Sequence, residues 1–282
     1  MVIGHSPLSV PNLSSAFDTD YHECAMFLKK IAYSFHMPLF IMISGYLFYI
    51  TRINKGSQYK KTLSDKFVRL GIPYVFFTVF AFFLKVYAGG VQRPVALSLK
   101  SFLCAFVWPF DGPLQEMWFV AVILIYFSLL GMYRRLLKSN WLSTLCLCCA
   151  VGLFFIPVSD MSGVFAFNRA VHFFIFFFLG ILIAAHHRFE NIIKRKGSIV
   201  ICLILYLASF WADIIEENAI TLIMSLSGCL LCWGLAGTVD RKVSDTLFGS
   251  FRNYTYQIFL LGIFIQIGIK LLYDKLGMQG TY

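Results

Sequence analysis

Two histidines are the side chains in this sequence best suited to proton transfer. His36 lies inside a long apolar run, and His5 opens the polar segment that follows the apolar start of the chain. Histidine exchanges a proton near neutral pH, so either residue could act as a general base toward a hydroxyl. A non-catalytic role fits both as well: His36 could be satisfied by a neighbouring helix or by lipid headgroups, and His5 could be an ordinary loop residue.

Four further residues stand out in or beside the apolar runs. Glu116 opens a later apolar run and could orient an imidazole through a hydrogen bond, or it could simply be solvated. Trp118 follows it and is typical of an aromatic residue at a membrane interface. Pro38 removes a backbone N–H from its helix, which can open backbone groups to a cavity. Arg169 shares a helix face with a histidine three residues later, and a solvated or headgroup-bound role is favoured for both.

Small residues in the first long run favour close helix packing. Ser44 and Gly45 lie one to two turns beyond the candidate histidine, and small side chains let helices approach closely. The eight cysteines show no paired spacing and are interpreted as apolar packing residues. The neighbouring His186 and His187 point to different faces of a helix, so the sequence predicts no metal site.

A basic segment precedes the second apolar run. Lys60, Lys61, Lys66 and Arg69 lead directly into it. Such a cluster attracts anionic lipid. Alternatively it binds a polyanionic small molecule such as a nucleotide-bearing cofactor, with Arg69 nearest the membrane and able to bind phosphate through two hydrogen bonds.

The composition is that of a membrane protein. The chain has 282 residues, of which 59% are hydrophobic and 13% charged, whereas soluble domains have about 45–50% apolar and about 25% charged residues. This excludes a disordered chain, a nucleic-acid-binding module and a disulfide scaffold. Residues 1–282 are therefore treated as one membrane domain.

The apolar runs predict an all-α, polytopic bundle with eight full transmembrane helices. The predicted passes cover residues 31–50, 67–88, 116–133, 141–158, 170–186, 199–217, 220–239 and 251–272. Residues 95–113 hold an apolar piece too short to span and are predicted to form a re-entrant or interfacial segment. The first four residues resemble the end of a ninth helix. The chain is thus expected to lack the start of its first span and a final return pass.

The basic residues predict an orientation. Sixteen Lys and Arg fall in loops 51–69, 134–140, 187–198 and 240–252, whereas six fall in the loops on the other side. The positive-inside rule places the sixteen in the cytoplasm. We therefore expect a multi-pass protein of the cell membrane in which His5, the outer third of the first full pass and the C-terminal residues face outward.

Several motifs together resemble the membrane acyltransferase 3 family, in particular its branch of bacterial sugar and polysaccharide O-acetyltransferases. The most specific are FHMPLF at residues 35–40 and ISGYLF at 43–48. The weaker ones are GHS at 4–6, KFVR at 66–69, IPY at 72–74, MWF at 117–119, FFFLG at 176–180 and NYTYQIFL at 253–260. In this family the first span ends in a catalytic histidine with a basic residue about ten positions earlier. His5 matches that histidine, and the basic residue has no counterpart.

The resemblance implies transfer of an acyl group, most simply acetyl, from cytoplasmic acyl-CoA to a hydroxyl of an envelope glycan or lipid-linked sugar. Acyl-CoA is then a co-substrate, no cofactor is bound, and lipids, acyl-CoA and the acceptor are the partners, with no nucleic acid. His5 acts as general base, His36 and Glu116 support it, and Arg69, Lys66 and Lys61 hold the phosphates of CoA. Gly262 stands near the position of a histidine in the family's late motif.

Other functions fit the same residues. A transporter or flippase would also have polar residues at mid-depth and helices broken by Gly or Pro, but would show internal repeats, and none is found. A structural or receptor-like membrane protein, or an inactive relative of the acyltransferases, would not depend on His5. Within the enzyme hypothesis, direct transfer and an acetyl-histidine intermediate are both chemically possible.

Overall fold

The computed structural model describes residues 19–87, 95–212 and 216–239 and the single positions 261, 262 and 265. His5 and nearly all of the predicted pass 251–272 lie outside these residues. The described chain is helical, with no strand among its elements. Its α-helices are α1 (Thr19–Phe48), α2 (Tyr59–Lys66), α3 (Ile72–Tyr87), α4 (Leu99–Val107), α5 (Trp118–Ser128), α6 (Leu130–Leu136), α7 (Asn140–Phe154), α8 (Phe167–Ala185), α9 (His187–Ile193), α10 (Lys196–Ala208) and α11 (Glu217–Ala236).

Four helical segments in the described part of the chain are long and apolar enough to cross a membrane. They are Tyr33–Ile53, Tyr59–Tyr87, Val164–Ala185 and Glu217–Ala236. The first two continue through the π-helical turns Tyr49–Ile53 and Phe67–Gly71. These segments confirm the predicted membrane character of the chain.

A fifth span is present if the bent pair Gln115–Ser128 and Leu130–Leu136 counts as one. The two helices meet at an angle of 55°, where the sequence predicted one straight pass over 116–133. Leu129 leaves the helical conformation, with φ −85° and ψ 14°. Ser128 bonds back to the carbonyl oxygen of Ile125 at 2.6 Å, and such back-bonding bends helices.

Two predicted passes are shorter in the structure than a membrane crossing requires. α7 has 15 residues and α10 has 13, whereas a span needs about 20. α7 ends three residues before Pro157, and the residue before a proline is biased away from helix. The predicted count of eight full passes and part of a ninth is therefore not confirmed.

The segment that the sequence predicted to be too short to span is indeed short. α4 has nine residues. Tyr74 in α3 donates its hydroxyl hydrogen to the carbonyl oxygen of Phe106 at 2.9 Å, which fixes α4 against α3.

α8 forms the centre of the bundle, and α1 packs along it at backbone contact. Phe176, Phe177 and Phe178 are fully buried. A Cβ atom at Gly45 would collide with the backbone oxygen of Phe177, and one at Gly180 would collide with that of Met42. Reciprocal glycines of this kind bring two helix backbones together.

Apolar side chains cover the outer faces of the helices. On α3, Val75, Phe76, Phe80 and Phe83 are 42–61% exposed. Exposed apolar area of this extent is unfavourable in water and suits a helix face in contact with lipid. This is the pattern of a membrane protein.

Candidate active site

A cavity of about 550 Å³ opens at one end of the bundle. Four segments line it with their N-terminal halves. His36 comes from Tyr33–Ile53, Glu116 from the bent pair, Arg169 from Val164–Ala185 and Ser225 from Glu217–Ala236. Since these segments all begin here, this is one common end of the bundle. We call it the cavity end.

A proline shapes the wall of the cavity. Pro38 lies inside α1 and has no N–H to offer the carbonyl oxygen of Ser34, four residues earlier. Ser225 of α11 donates to that oxygen instead, at 2.7 Å. The sequence predicted that Pro38 frees a backbone group at a cavity, and the structure places Pro38 in the lining of one.

His36 lines the cavity and is partly buried. Its ring meets the ring of Tyr33 edge to face, with centroids 4.7 Å apart. Histidine in such a place can accept a proton from a bound hydroxyl or orient another group that does so.

Glu116 and Trp118 enter the cavity from the start of α5. Glu116 lies in the short 3₁₀ turn Gln115–Met117 that leads into this helix, and it is partly buried. Trp118 is only 7% exposed and stacks on Phe173 with ring centroids 5.5 Å apart. Trp118 therefore packs inside the bundle, and its position at the membrane interface stays a prediction.

The residues that sequence reasoning set aside belong to the same cavity. Arg169 and His172 both line it, although their predicted role was solvation or headgroup binding. The ring of His172 stacks on that of Phe154 with centroids 4.0 Å apart. The guanidinium carbon of Arg169 lies 3.5 Å from the ring centroid of Phe110. The sequence did contain a signal for this position, because an Arg and a His lie one turn apart in an apolar span.

The opposite end of the bundle is basic and holds the predicted phosphate-binding residues. We call it the basic end. Lys66 lies 4.3 Å from the ring centroid of Phe127 and is partly buried, whereas Lys61 and Arg69 are exposed. Arg52 pairs with Asp65 at 2.9 Å. The exposed ammonium group of Lys61 and guanidinium group of Arg69 are available to an anion.

Ser44 lies between the two ends rather than in the cavity. Its hydroxyl donates to the carbonyl oxygen of Phe40 at 2.8 Å, within its own helix. The structure therefore brings His36, Pro38, Glu116 and Trp118 together and leaves Ser44 and Gly45 in the packing between helices. Among the described residues no group of three His, Cys, Asp or Glu side chains could hold a metal ion.

The comparison with protein families agrees with the motifs. A family model described as an acyltransferase domain, that of acyltransferase 3, matches residues 1–281. No curated protein and no solved structure matches the chain. The match covers almost the whole chain, which confirms the predicted resemblance and implies acyltransferase activity in general. The chain belongs to the acyltransferase 3 family.

Proposed function

We propose that this protein transfers an acyl group, most simply acetyl, from acyl-CoA to a hydroxyl of an envelope glycan, lipid-linked sugar or similar acceptor. One observation carries the proposal: a cavity in a membrane helical bundle is lined by His36, Glu116, Arg169 and His172. Polar groups that converge in a largely apolar pocket of about 300–1,000 Å³ are typical of a small-molecule site.

The reaction needs a base and a site in which few water molecules compete with the acceptor. His5 takes the proton of the acceptor hydroxyl as its oxygen attacks the thioester carbonyl carbon. General-base help of this kind contributes about 10²–10⁴ in rate. His36 and Glu116 orient the reacting groups, and the rings of Tyr33 and Phe173 contribute apolar walls.

The donor binds at the basic end. Arg69, Lys66 and Lys61 bind the phosphates of CoA, for which the planar guanidinium of Arg69 offers two parallel hydrogen bonds. The pantetheine arm then reaches along the bundle toward the cavity. In this arrangement the basic end faces the cytoplasm of a cell membrane and the cavity end faces outward, as the distribution of Lys and Arg favours.

The test is the substitution His5→Ala in the full chain. Membranes that contain either form receive radiolabelled acetyl-CoA, and free CoA thiol and label in extracted lipids and glycans are measured. We expect the variant to fold as the wild type does and to lose transfer. The control is His187→Ala, since the side chain of His187 is 87% exposed at the basic end.

Normal transfer by the His5→Ala variant would reject the assignment of the base. Movement of an intact substrate across the membrane without consumption of acetyl-CoA would favour a transporter. Wild-type protein that consumes no acyl-CoA with any acceptor would indicate an inactive relative.

A further inference from the structure

Two aromatic rings hold Arg169 in the cavity, and the carboxylate of Asp111 interacts with it electrostatically. Its guanidinium carbon lies 3.5 Å from the ring centroid of Phe110 and 5.0 Å from that of Trp118. Within the part of the chain that the structure describes, no carboxylate forms an ion pair with it, and its buried Nε atom has no hydrogen-bond partner. A cation that is partly buried among apolar groups costs free energy unless an anion or a strong hydrogen-bond acceptor compensates its charge.

The backbone on both sides of Arg169 is fixed. The Asn168 side chain accepts a hydrogen bond from the Arg169 backbone N–H at 2.8 Å and donates to the carbonyl oxygen of Val158 at 3.2 Å. On the other side, the buried hydroxyl of Tyr126 donates to the carbonyl oxygen of Ala170 at 2.7 Å. Arg169 is therefore preorganised before any ligand binds.

The stacked rings restrict what Arg169 can bind. A ring above the guanidinium occupies its face, so the N–H groups at its edge remain for hydrogen bonds. A carbonyl oxygen is an acceptor of the kind that such edge groups bind.

We propose that Arg169 binds the carbonyl oxygen of the acyl donor and stabilises the oxyanion that forms there during transfer. This rests on the proposed function. The acceptor oxygen bonds to the thioester carbon while histidine takes the hydroxyl proton, and the carbonyl oxygen becomes negative. The carbon–sulfur bond then breaks, the ester carbonyl re-forms, and the CoA thiolate takes the proton from histidine and leaves as a thiol. A preorganised cation in a water-poor site stabilises such developing charge.

A neighbouring charge favours the oxyanion over a permanently anionic acceptor as the partner of Arg169. Glu116 lines the same cavity, so an acceptor with a carboxylate or phosphate would meet a like charge. A neutral thioester carbonyl enters without that repulsion and gains its charge only as the reaction proceeds.

The experiment compares wild-type protein with Arg169→Gln in detergent, where both faces are accessible. Thiol release from acetyl-CoA is measured with water and with methyl glucoside, which are uncharged acceptors. We expect kcat to fall about 10²–10³-fold with both, while KM for acetyl-CoA stays within a few-fold. The control is Arg188→Gln, which removes an exposed Arg from α9 and leaves kcat unchanged.

Two results would overturn the inference. Arg169→Gln with wild-type kcat toward uncharged acceptors would show that no oxyanion depends on Arg169. A loss confined to an anionic acceptor such as glucuronate would show that Arg169 binds the acceptor instead. If the Gln variant does not fold, Arg169→Met removes the charge and keeps a long, unbranched side chain beside the rings, and an unchanged kcat in that variant overturns the inference equally.

The proposed function fails separately. If wild-type protein releases no thiol from acetyl-CoA with any acceptor, the chain is not an acyl-CoA-dependent transferase and the inference falls with it. If the wild type is active and His5→Ala is not, while Arg169→Gln equals the wild type, only the role of Arg169 is wrong.

Discussion

The charged residues at the two ends of the bundle differ in whether they form ion pairs. At the basic end, Arg52 pairs with Asp65 at 2.9 Å and Lys194 pairs with Glu190 at 2.7 Å. At the cavity end, Glu116 and Arg169 form no ion pair with any residue that the structure describes. A pair of opposite charges offers little net charge to a ligand, whereas the exposed Lys61 and Arg69 at the basic end and the partly buried Glu116 and Arg169 at the cavity end can interact with a substrate.

The difference suggests that the two ends have separate roles in the reaction. Substitutions at the cavity end should change the rate of the chemical step, because its groups face the reacting atoms in the proposed mechanism. Substitutions at the basic end should change the affinity for the donor, because its exposed cations bind at a distance from the reaction. The experiments below test this division, beginning with the largest expected effect.

His36→Ala tests the cavity end. We expect about a 10²-fold loss of acyl transfer, the lower part of the range for general acid–base groups, because His36 lines the cavity in which we propose that the reaction takes place. The measurement is the initial rate of thiol release at saturating acetyl-CoA, with His187→Ala as the matched control from the basic end.

A double-mutant cycle sharpens this test. If His36 acts through His5, His36→Ala should have little further effect in the His5→Ala background, since residues that act as a unit are non-additive. Additive losses would show that the two histidines work independently.

Gly45→Ala tests the contact that holds the two ends together. The new Cβ would collide with the backbone oxygen of Phe177, so we expect a loss of about 1–3 kcal/mol in the free energy of unfolding. Thermal unfolding in detergent measures it. Gly152→Ala is the control, because open space surrounds that position in α7 and alanine is the better helix former. Equal stability of both variants would contradict the close packing.

Ser225→Ala tests the hydrogen bond that compensates Pro38. The carbonyl oxygen of Ser34 would lose its donor, and we expect a cost of about 0.5–1.5 kcal/mol, measured by the same unfolding assay. Ser227→Ala is the control on the same helix, because the hydroxyl of Ser227 donates within α11, to the carbonyl oxygens of Ile223 and Met224. A larger cost at Ser227 would argue against this role of Ser225.

Arg69→Gln tests the basic end and should have the smallest effect. An exposed ionic contact is worth about 1 kcal/mol or less, which is up to about fivefold in affinity. We expect KM for acetyl-CoA to rise by that factor at unchanged kcat, measured at low salt, where screening is weak. A fall in kcat with unchanged KM would show that the two ends do not have separate roles.

The sequence predicted the all-α class of fold, and it singled out residues that the structure places around one cavity. His36, Pro38 and Glu116 could be singled out because polar or helix-breaking residues are conspicuous in apolar segments. The aromatic contacts of Arg169 and His172 in the cavity could not be predicted, because they depend on which rings the fold brings beside them. Phe110 and Phe154 come from distant segments, and only packing brings them against α8.

The number of spans was harder to predict for a physical reason. Apolar runs show where a chain avoids water but do not show where a helix ends. Leu129 bends one predicted span, and the approach to Pro157 ends α7 early. Both depend on local backbone geometry inside runs that are uniformly apolar.

The glycine contact between α1 and α8 also restricts how a substrate can travel. Where Gly45 and Gly180 bring the two backbones together, the seam between these helices has no room even for a methyl group. A substrate therefore cannot pass between the two helices at this point. A donor that is anchored at the basic end and reacts in the cavity must therefore pass along another face of α1, so enlarging a side chain in this seam should affect stability and leave the route of the donor unchanged.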